Sequence, residues 1–471
     1  MIAVLVALHM IGVAGLGLYG LLGFVTLGLF LRHRHAQSQL PVTPDEWPMV
    51  TIQLPIFNER GVITRLLDAT AALDYPRDRL QIQILDDSTD DTTALAAAWL
   101  AARQGEGGDV VLLHRAERRG YKAGALAAAL ATASGEFIAI FDADFVPPPA
   151  FLRQTLPYLL DDPQLGAVQA RWGHLNAAES PLTGAQAIAL DKHFAVEQLV
   201  RHRAACFPKF NGSAGVWRKT CIEGAGGWSS ETLCEDLCLS TRAVLAGWRF
   251  HFAEDIVAPA ELPSTMRAYK SQQARWATGT TQCLTRYAAP IWQASGHAWL
   301  ARLYALLSMS AYCTHPLLLL ILLLQLPLVA SGFRFPIGMV VFSVLGLGQP
   351  VLFILAQQAL YPDWLRRLRY LPALLLLAIG TAPSNTWAVL RGLSGRPLAF
   401  VRTPKGAQPG YRLKADWAMG AEIALAGYSA AVILLAVRTG NIGATSLPLL
   451  ALLGSGYVAW HTGRESGGHS G

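Results

Sequence analysis

Phe137-Ile138-Ala139-Ile140-Phe141-Asp142-Ala143-Asp144-Phe145 is a short apolar run that passes without a break into two acids. The run is rich in β-branched and aromatic residues, as a buried strand requires. A second run of the same kind, Gln81–Leu85, ends in Asp86-Asp87-Ser88-Thr89. Further strands are expected at Val50–Leu54, Val110–His114 and Gly166–Ala170, with helices over 60–73, 91–103 and 121–133 between the first four. Apolar strands alternating with helices predict an α/β domain around a mostly parallel sheet. In such sheets ligands bind at the carboxyl ends of the strands, which is where both acid pairs fall.

Outside this domain the 471-residue chain changes character. Hydrophobic residues make up 52% of it and charged residues 15%, against about 25% charge in an ordinary globular protein. Residues 1–31 carry no Lys, Arg, Asp or Glu, and further uncharged runs span 303–333, 335–362, 371–390 and 439–463. A hydrocarbon core takes about 20 helical residues. A wholly soluble enzyme, a disordered chain and a secreted disulfide scaffold are thereby excluded. The expected organisation is a retained N-terminal anchor over 1–31, an α/β domain over 45–290 and two spanning helices within 303–361 (303–331 and 337–361). An interfacial helix over 371–393, a cytoplasmic loop over 394–416 and two last spanning helices over 417–462 follow. The segment 371–390 is placed along the interface because Pro383, Ser384, Asn385 and Thr386 form a polar patch at its middle.

The net charge is +6 and the pI is near 9. Lys and Arg stack beside the apolar runs, as at Arg32 and Arg34, Arg366 to Arg369, and Arg391 to Lys414, which follows the positive-inside rule and puts the α/β domain in the cytoplasm. No basic-aromatic stripe marks a nucleic-acid partner. Cysteines 206, 221, 234, 238, 283 and 313 show no paired CxxC spacing, so neither a zinc site nor a disulfide framework is indicated. Cys234 and Cys238 read as free thiols.

Several residues carry chemistry. Asp142 and Asp144, at i and i+2 beyond a strand, are placed to reach one hard cation, and Mg2+ or Mn2+ favours such oxygens together with substrate phosphates. Asp86 and Asp87 serve equally as helix caps or as cleft acids. Lys122, at a helix start near the ligand edge, suits a phosphate. Glu235-Asp236 opens a helical run, and an acid in a partly apolar setting is a candidate general base. Gln272, Arg275 and Trp276 follow, with fixed donors for phosphate oxygens and a flat face for a sugar ring.

In order and spacing the chain resembles a processive family 2 glycosyltransferase, and within it the cellulose-synthase-like A mannan and glucomannan synthases. The matching stretches are Pro55–Glu59, Leu85–Asp90, Tyr121–Leu126, Phe141–Phe145, Val168–Trp172, Phe210–Arg218, Glu235-Asp236, Glu261–Ser264 and Gln272–Trp276. The resemblance implies a GT-A (Rossmann-like) fold and a nucleotide-sugar donor. Glu59, Asp86 and Asp87 would hold the nucleoside, and Asp142 and Asp144 a divalent metal on the diphosphate. Lys122, Gln272 and Arg275 would support the phosphates, Asp236 would deprotonate the acceptor, and Glu235 and Trp276 would contact it. Phe400, Thr403 and Lys405 resemble the gating loop of cellulose synthases. Cys234, Cys238 and Arg402 depart from the family pattern.

The implied reaction is inverting transfer onto a growing polysaccharide, giving a β-1,4-linked mannan, glucomannan or glucan from GDP-mannose, GDP-glucose or UDP-glucose, coupled to translocation. Two other readings stay open: transfer of one sugar to a membrane lipid such as ceramide or polyprenyl phosphate, and an inactive membrane scaffold. Ala-, Leu- and Arg-rich usage points to a bacterial inner membrane. The Golgi membrane is the corresponding location in a eukaryote.

Overall fold

The computed structural model describes residues 2–35, 41–103, 108–334, 344–395 and 417–467. Its sheet is built from β1 (Val50–Ile56), β2 (Leu80–Asp86), β3 (Asp109–His114), β4 (Phe137–Ile140), β5 (Leu165–His174), β6 (Gly215–Arg218) and β7 (Arg249–Ala260). The strand order is β3-β2-β1-β4-β6-β5-β7. Among the described residues only β6 runs against its neighbours, pairing antiparallel with β4 and β5, and the other strand pairs are parallel. The five expected strands are present within these. β6 and β7 were not anticipated: β6 has four residues, and β7 carries Glu254, Asp255 and Pro259, which break the apolar run a sequence reading looks for.

The alternation of side chains along a strand explains why β4 is central. Phe137, Ala139 and Phe141 enter one core with Ile52, Leu54 and Ile82. Ile138 and Ile140 enter the other with Leu126, Ala129 and Trp217. Helices Ile63–Ala71, Thr92–Ala101 and Tyr121–Leu130 fall inside the expected ranges. Because β1, β2, β4 and β5 point the same way, the segments leaving Ile56, Asp86, Ile140 and His174 emerge at one edge. That edge is the site.

Among the described residues, four helices are long and apolar enough to cross a membrane: Ile2–His33, Ala311–Ala330, Trp417–Arg438 and Ile442–Glu465. The uncharged run expected as one helix over 303–331 is divided. Trp299–Met309 stops before Ser310, whose carbonyl and hydroxyl take the Tyr19 hydroxyl at 2.9 and 2.8 Å, and a new helix continues beyond. Of the expected 337–361 helix, Val344–Leu360 lies within the described residues. The segment expected at the interface forms two helices, Leu371–Gly380 and Ala382–Leu393, with the pair Trp364–Gly380 and Ala382–Leu393 bent by 50°. Within its polar patch Ser384 and Asn385 are buried, and Asn385 Nδ2 lies 3.1 Å from His315 Nε2. Phe400, Arg402, Thr403 and Lys405 of the gating-like loop lie outside the described residues.

The cysteine reading needs correction. Cys238 and Cys283 form a disulfide across 45 residues, with Cα atoms 6.0 Å apart, whereas Cys234 is free and buried. The pair forms because helix Glu235–Leu245 packs on helix Met266–Gln293, a contact that sequence spacing does not reveal.

Helix Met266–Gln293 joins the α/β domain to the membrane part. Its first N–H groups, from Met266 and Arg267, donate to the Glu465 carboxylate at 2.5 and 3.1 Å. One turn on, Lys270 Nζ meets Glu422 Oε1 at 2.6 Å, with side-chain exposures of 5% and 0%. Removing one member of a buried pair costs about 3–5 kcal/mol, whereas replacing both with apolar residues is often neutral. Glu422→Leu is therefore expected to lower the unfolding free energy of the detergent-solubilised protein by about that amount. Lys270→Met/Glu422→Leu should recover most of it. Equal losses in the single and double variants would deny the pair this role.

Candidate active site

Three local devices bring the acids to the strand edge. Asn58, at a φ of 56°, takes the Thr89 N–H on its Oδ1 at 2.8 Å and gives its own N–H to Ser88 Oγ at 2.8 Å. This clips the segment bearing Glu59 to the segment bearing Asp87. Next, Gly120 and Tyr121 (φ 72° and 52°) turn the chain sharply into helix Tyr121–Leu130. Gly124 is required there, since a Cβ would stand 2.0 Å from the Arg119 carbonyl oxygen. Finally, helix Glu235–Leu245 begins at Glu235, which puts both acids at the electropositive N-terminus.

These segments enclose a cleft of 180 Å³. Glu59, Asp87, Lys122, Asp142, Asp144, Glu235, Asp236, Gln272, Arg275 and Trp276 all line it. The last three lie at i, i+3 and i+4 of one helix and so share a face. Asp86 is the exception. It points under the sheet edge, where its carboxylate accepts from the Ser88 N–H at 3.0 Å and Thr93 Oγ1 at 2.6 Å and lies 2.8 Å from His114 Nδ1. Burial opposes its ionisation, but these hydrogen bonds outweigh burial and hold it below the usual carboxylate range. Asp86 shapes the turn, and Asp87 faces the cleft.

Asp87 is gripped by Arg115, Nε to Oδ1 at 2.7 Å and Nη2 to Oδ2 at 2.6 Å. Arg118 approaches the same carboxylate at 3.7 Å and lies over the Phe57 ring at 3.5 Å. Neither arginine was singled out from sequence, although Arg115-x-x-Arg118-Arg119 is a basic run between a strand and a helix start. Lys122 Nζ donates to Asp142 Oδ1 at 2.6 Å and to the Gly212 carbonyl at 2.8 Å, and stands 3.7 Å from Glu235 Oε1. Burial disfavours its charge, yet Asp142, Glu235 and Asp236 together raise it above the usual lysine value.

The acids are crowded. Burial raises the Asp142 carboxyl, Lys122 draws it back, Asp144 pushes it up, and the net direction is upward. Asp236 is raised to about 7, first by burial and then by the Glu235 charge, against the pull of Lys122 and Arg275. Gly212, at a φ of 82°, sits beside this carboxyl: a Cβ there would lie 3.0 Å from Asp236 Oδ2. Four carboxylates, Asp142, Asp144, Glu235 and Asp236, thus face chiefly Lys122 and Arg275. A divalent cation fits this excess of hard oxygen donors. No third His, Cys, Asp or Glu forms a metal-binding group with Asp142 and Asp144 among the described residues, so phosphates and water would complete such a cation's shell.

Residues 48–279 match the family model described as glycosyltransferase like family 2. The domain belongs to glycosyltransferase family 2. The chain is 45% identical over 242 residues to glucomannan 4-beta-mannosyltransferase 1 of Cyamopsis tetragonoloba, a match covering 50% of this chain and 45% of that protein. It is 43% identical over 249 residues to glucomannan 4-beta-mannosyltransferase 2 of Arabidopsis thaliana, covering 51% of this chain and 47% of the relative. The chain thus spans about half the length of the relatives it matches. Among solved structures, a mannosyltransferase from Pyrobaculum calidifontis, in complex with GDP-Man and Mn2+, aligns at a TM-score of 0.57 with 22% identity, over 83% of this chain and 98% of that one. That likeness establishes the shared GT-A fold.

Proposed function

We propose that the chain is a membrane-embedded, inverting, metal-dependent hexosyltransferase that builds a β-1,4-linked mannan or glucomannan from GDP-mannose. The observation that carries this reading is the meeting of Asp142, Asp144, Lys122, Asp236 and the Gln272–Trp276 face around one cleft. The substrate class follows the mannosyltransferase relatives, and the stretch 48–279 that matches the family model includes every cleft residue named here.

The chemistry is a single displacement. Asp236, kept near neutrality by its surroundings, takes the proton of an acceptor hydroxyl as that oxygen attacks the anomeric carbon from the face opposite the diphosphate. One displacement inverts the configuration, so an α-linked donor yields a β-linked product. Lys122 and Arg275 offset the charge that gathers on the departing diphosphate. Asp142 and Asp144 would hold Mg2+ or Mn2+, which acts on the diphosphate as a Lewis acid when bound. Trp276 offers its ring to the acceptor sugar. Glu59 and Asp87, the latter braced by Arg115, face the nucleoside end.

The catalytic domain faces the cytoplasm in this proposal, where nucleotide sugars are made available, and the membrane helices packed on Met266–Gln293 receive the product. Incubating the purified full chain with GDP-mannose, GDP-glucose and UDP-glucose in turn tests the reading. GDP-mannose is expected to give a product that lengthens with time and is cleaved by a β-1,4-mannanase. A product that never exceeds one sugar and extracts into organic solvent would instead identify a lipid acceptor. No turnover with any donor in the presence of Mg2+ or Mn2+ would support a scaffold.

A further inference from the structure

Behind the cleft, helix Pro181–Lys192 continues through a π-helical turn, His193–Gln198, into Leu199–Arg203. Such turns cost regular hydrogen bonding and recur where side chains must be aimed. Here the turn aims two of them at Asn211, which lines the cleft next to Gly212.

The hydrogen bonds close into a ring that fixes the sense of every member. Arg201 Nη1 donates to Gln198 Oε1 at 3.5 Å, so the Gln198 amide nitrogen faces the other way. That nitrogen donates to the Lys209 carbonyl at 2.8 Å and to Asn211 Oδ1 at 2.6 Å. Asn211 Nδ2 is therefore turned toward His193 Nε2, 2.8 Å away, and must be the donor. The imidazole then carries its proton on Nδ1 and gives it to Glu197 Oε2 at 3.1 Å. Glu197 returns to Arg201 at 3.4 Å and also binds Lys192 at 2.5 Å. Burial lowers the His193 pKa, the Glu197 hydrogen bond and charge act against this, and the net effect keeps the ring neutral, as an accepting Nε2 requires. The Asn211 backbone N–H is used as well, donating to Gln169 Oε1 at 2.7 Å.

An asparagine side chain has two N–H donors and one carbonyl. The carbonyl is held by Gln198 and one N–H by His193, which leaves one N–H without a protein partner among the described residues. Asp236 Oδ2 stands 3.0 Å from where a Cβ on neighbouring Gly212 would lie. We propose that Asn211 is an acceptor-binding residue, presenting this single N–H to a hydroxyl oxygen of the acceptor sugar beside Asp236, and that His193 and Gln198 are its positioning residues. The inference rests on the sugar-transfer reading and adds to it a specific contact with the acceptor.

Transfer from GDP-mannose to a β-1,4-manno-oligosaccharide primer, with GDP-mannose binding measured separately, tests it on the full chain. Asn211→Ala is expected to raise the primer KM or lower kcat/KM for the primer about tenfold, as loss of one hydrogen bond does, with donor binding unchanged. His193→Phe, which keeps the bulk but removes the acceptor nitrogen, should lose nearly as much, and His193→Gln, whose amide oxygen still accepts, should restore most of it. Asn211→Ala/His193→Phe should be no worse than Asn211→Ala, because both act through the same N–H. Should H193F fail to fold, Asn211→Ala with its donor-binding control still decides the contact. Multiplying effects in the double variant, equal loss in His193→Gln, or weakened donor binding in Asn211→Ala would overturn the inference while wild-type transfer stands. An inactive wild type would overturn the sugar-transfer reading itself, and this with it.

Discussion

Asp236→Asn is expected to bind the nucleotide sugar about as well as the wild type and to transfer it about 10²–10⁴ times more slowly, the usual cost of losing a positioned general base. The amide keeps the size and polarity of the side chain, so the helix start at Glu235 and the contact region of Gly212 are preserved. What is lost is the acceptor for the proton. The carboxyl is raised to about 7 by burial and by Glu235. A raised carboxylate is in its basic form above its pKa and is lost as the pH falls through it. In the wild type kcat/KM should therefore decline as pH drops below about 7, the limb moving lower to the extent that a bound cation and donor alter the local charge. Asp236→Asn should lack this limb. Near-normal turnover in the variant would remove Asp236 from the chemistry.

Asp142→Asn/Asp144→Asn is expected to abolish cation-dependent binding of the donor. The two carboxylates follow a strand buried on both faces, so their backbone is fixed by packing: Asp142 N–H donates to Ser213 Oγ at 2.9 Å, and the Asp144 carbonyl takes the Glu261 N–H at 3.2 Å. Their substitution should thus leave the fold in place. In exchange, the Lys122 ammonium loses the negative charge of its partner at 2.6 Å, Asp142, but keeps Glu235 at 3.7 Å and the Gly212 carbonyl. Without two hard anionic oxygens a divalent ion has no protein ligand set of the kind it favours, and the diphosphate loses the charge that anchors it. Added Mn2+ or Mg2+ should not rescue the double variant, and chelation should reduce the wild type to the same level.

Much of this site is legible in the sequence because strand ends make chemistry visible. An apolar run that stops at Asp142-Ala143-Asp144, or at Asp86-Asp87, announces both the strand and the edge where it delivers its acids. What cannot be read is which of two adjacent acids faces the cleft. Neighbouring side chains on an extended chain point opposite ways, so Asp87 enters the cleft while Asp86 turns beneath it, and only the register of β2 against β1 decides. Long-range partners are equally hidden. Arg115 finds Asp87 across 28 residues, Cys238 finds Cys283 across 45, and Lys270 finds Glu422 in a helix that begins only at Trp417. Asn211 stands in a stretch that the sequence marks only by family likeness, and the π-helical segment beginning at His193, which holds both ends of its amide, is visible only in the structure. In the membrane part, hydropathy located the runs but not their breaks. Ser310 and Thr381 interrupt uncharged stretches: Ser310 takes the Tyr19 hydroxyl from another helix, and Thr381 is bonded locally, to the Leu377 carbonyl and by Asn385 Nδ2.

Titration of GDP-mannose onto the purified full chain, with Mn2+ and with chelator, measures the claim that one cleft gathers the cation-binding and catalytic acids around a single sugar nucleotide. The wild type and Asp236→Asn should bind with similar affinity in Mn2+ and lose it in chelator, and Asp142→Asn/Asp144→Asn should bind weakly in both. Binding that survives unchanged in the double variant would place the nucleotide elsewhere and contradict the site.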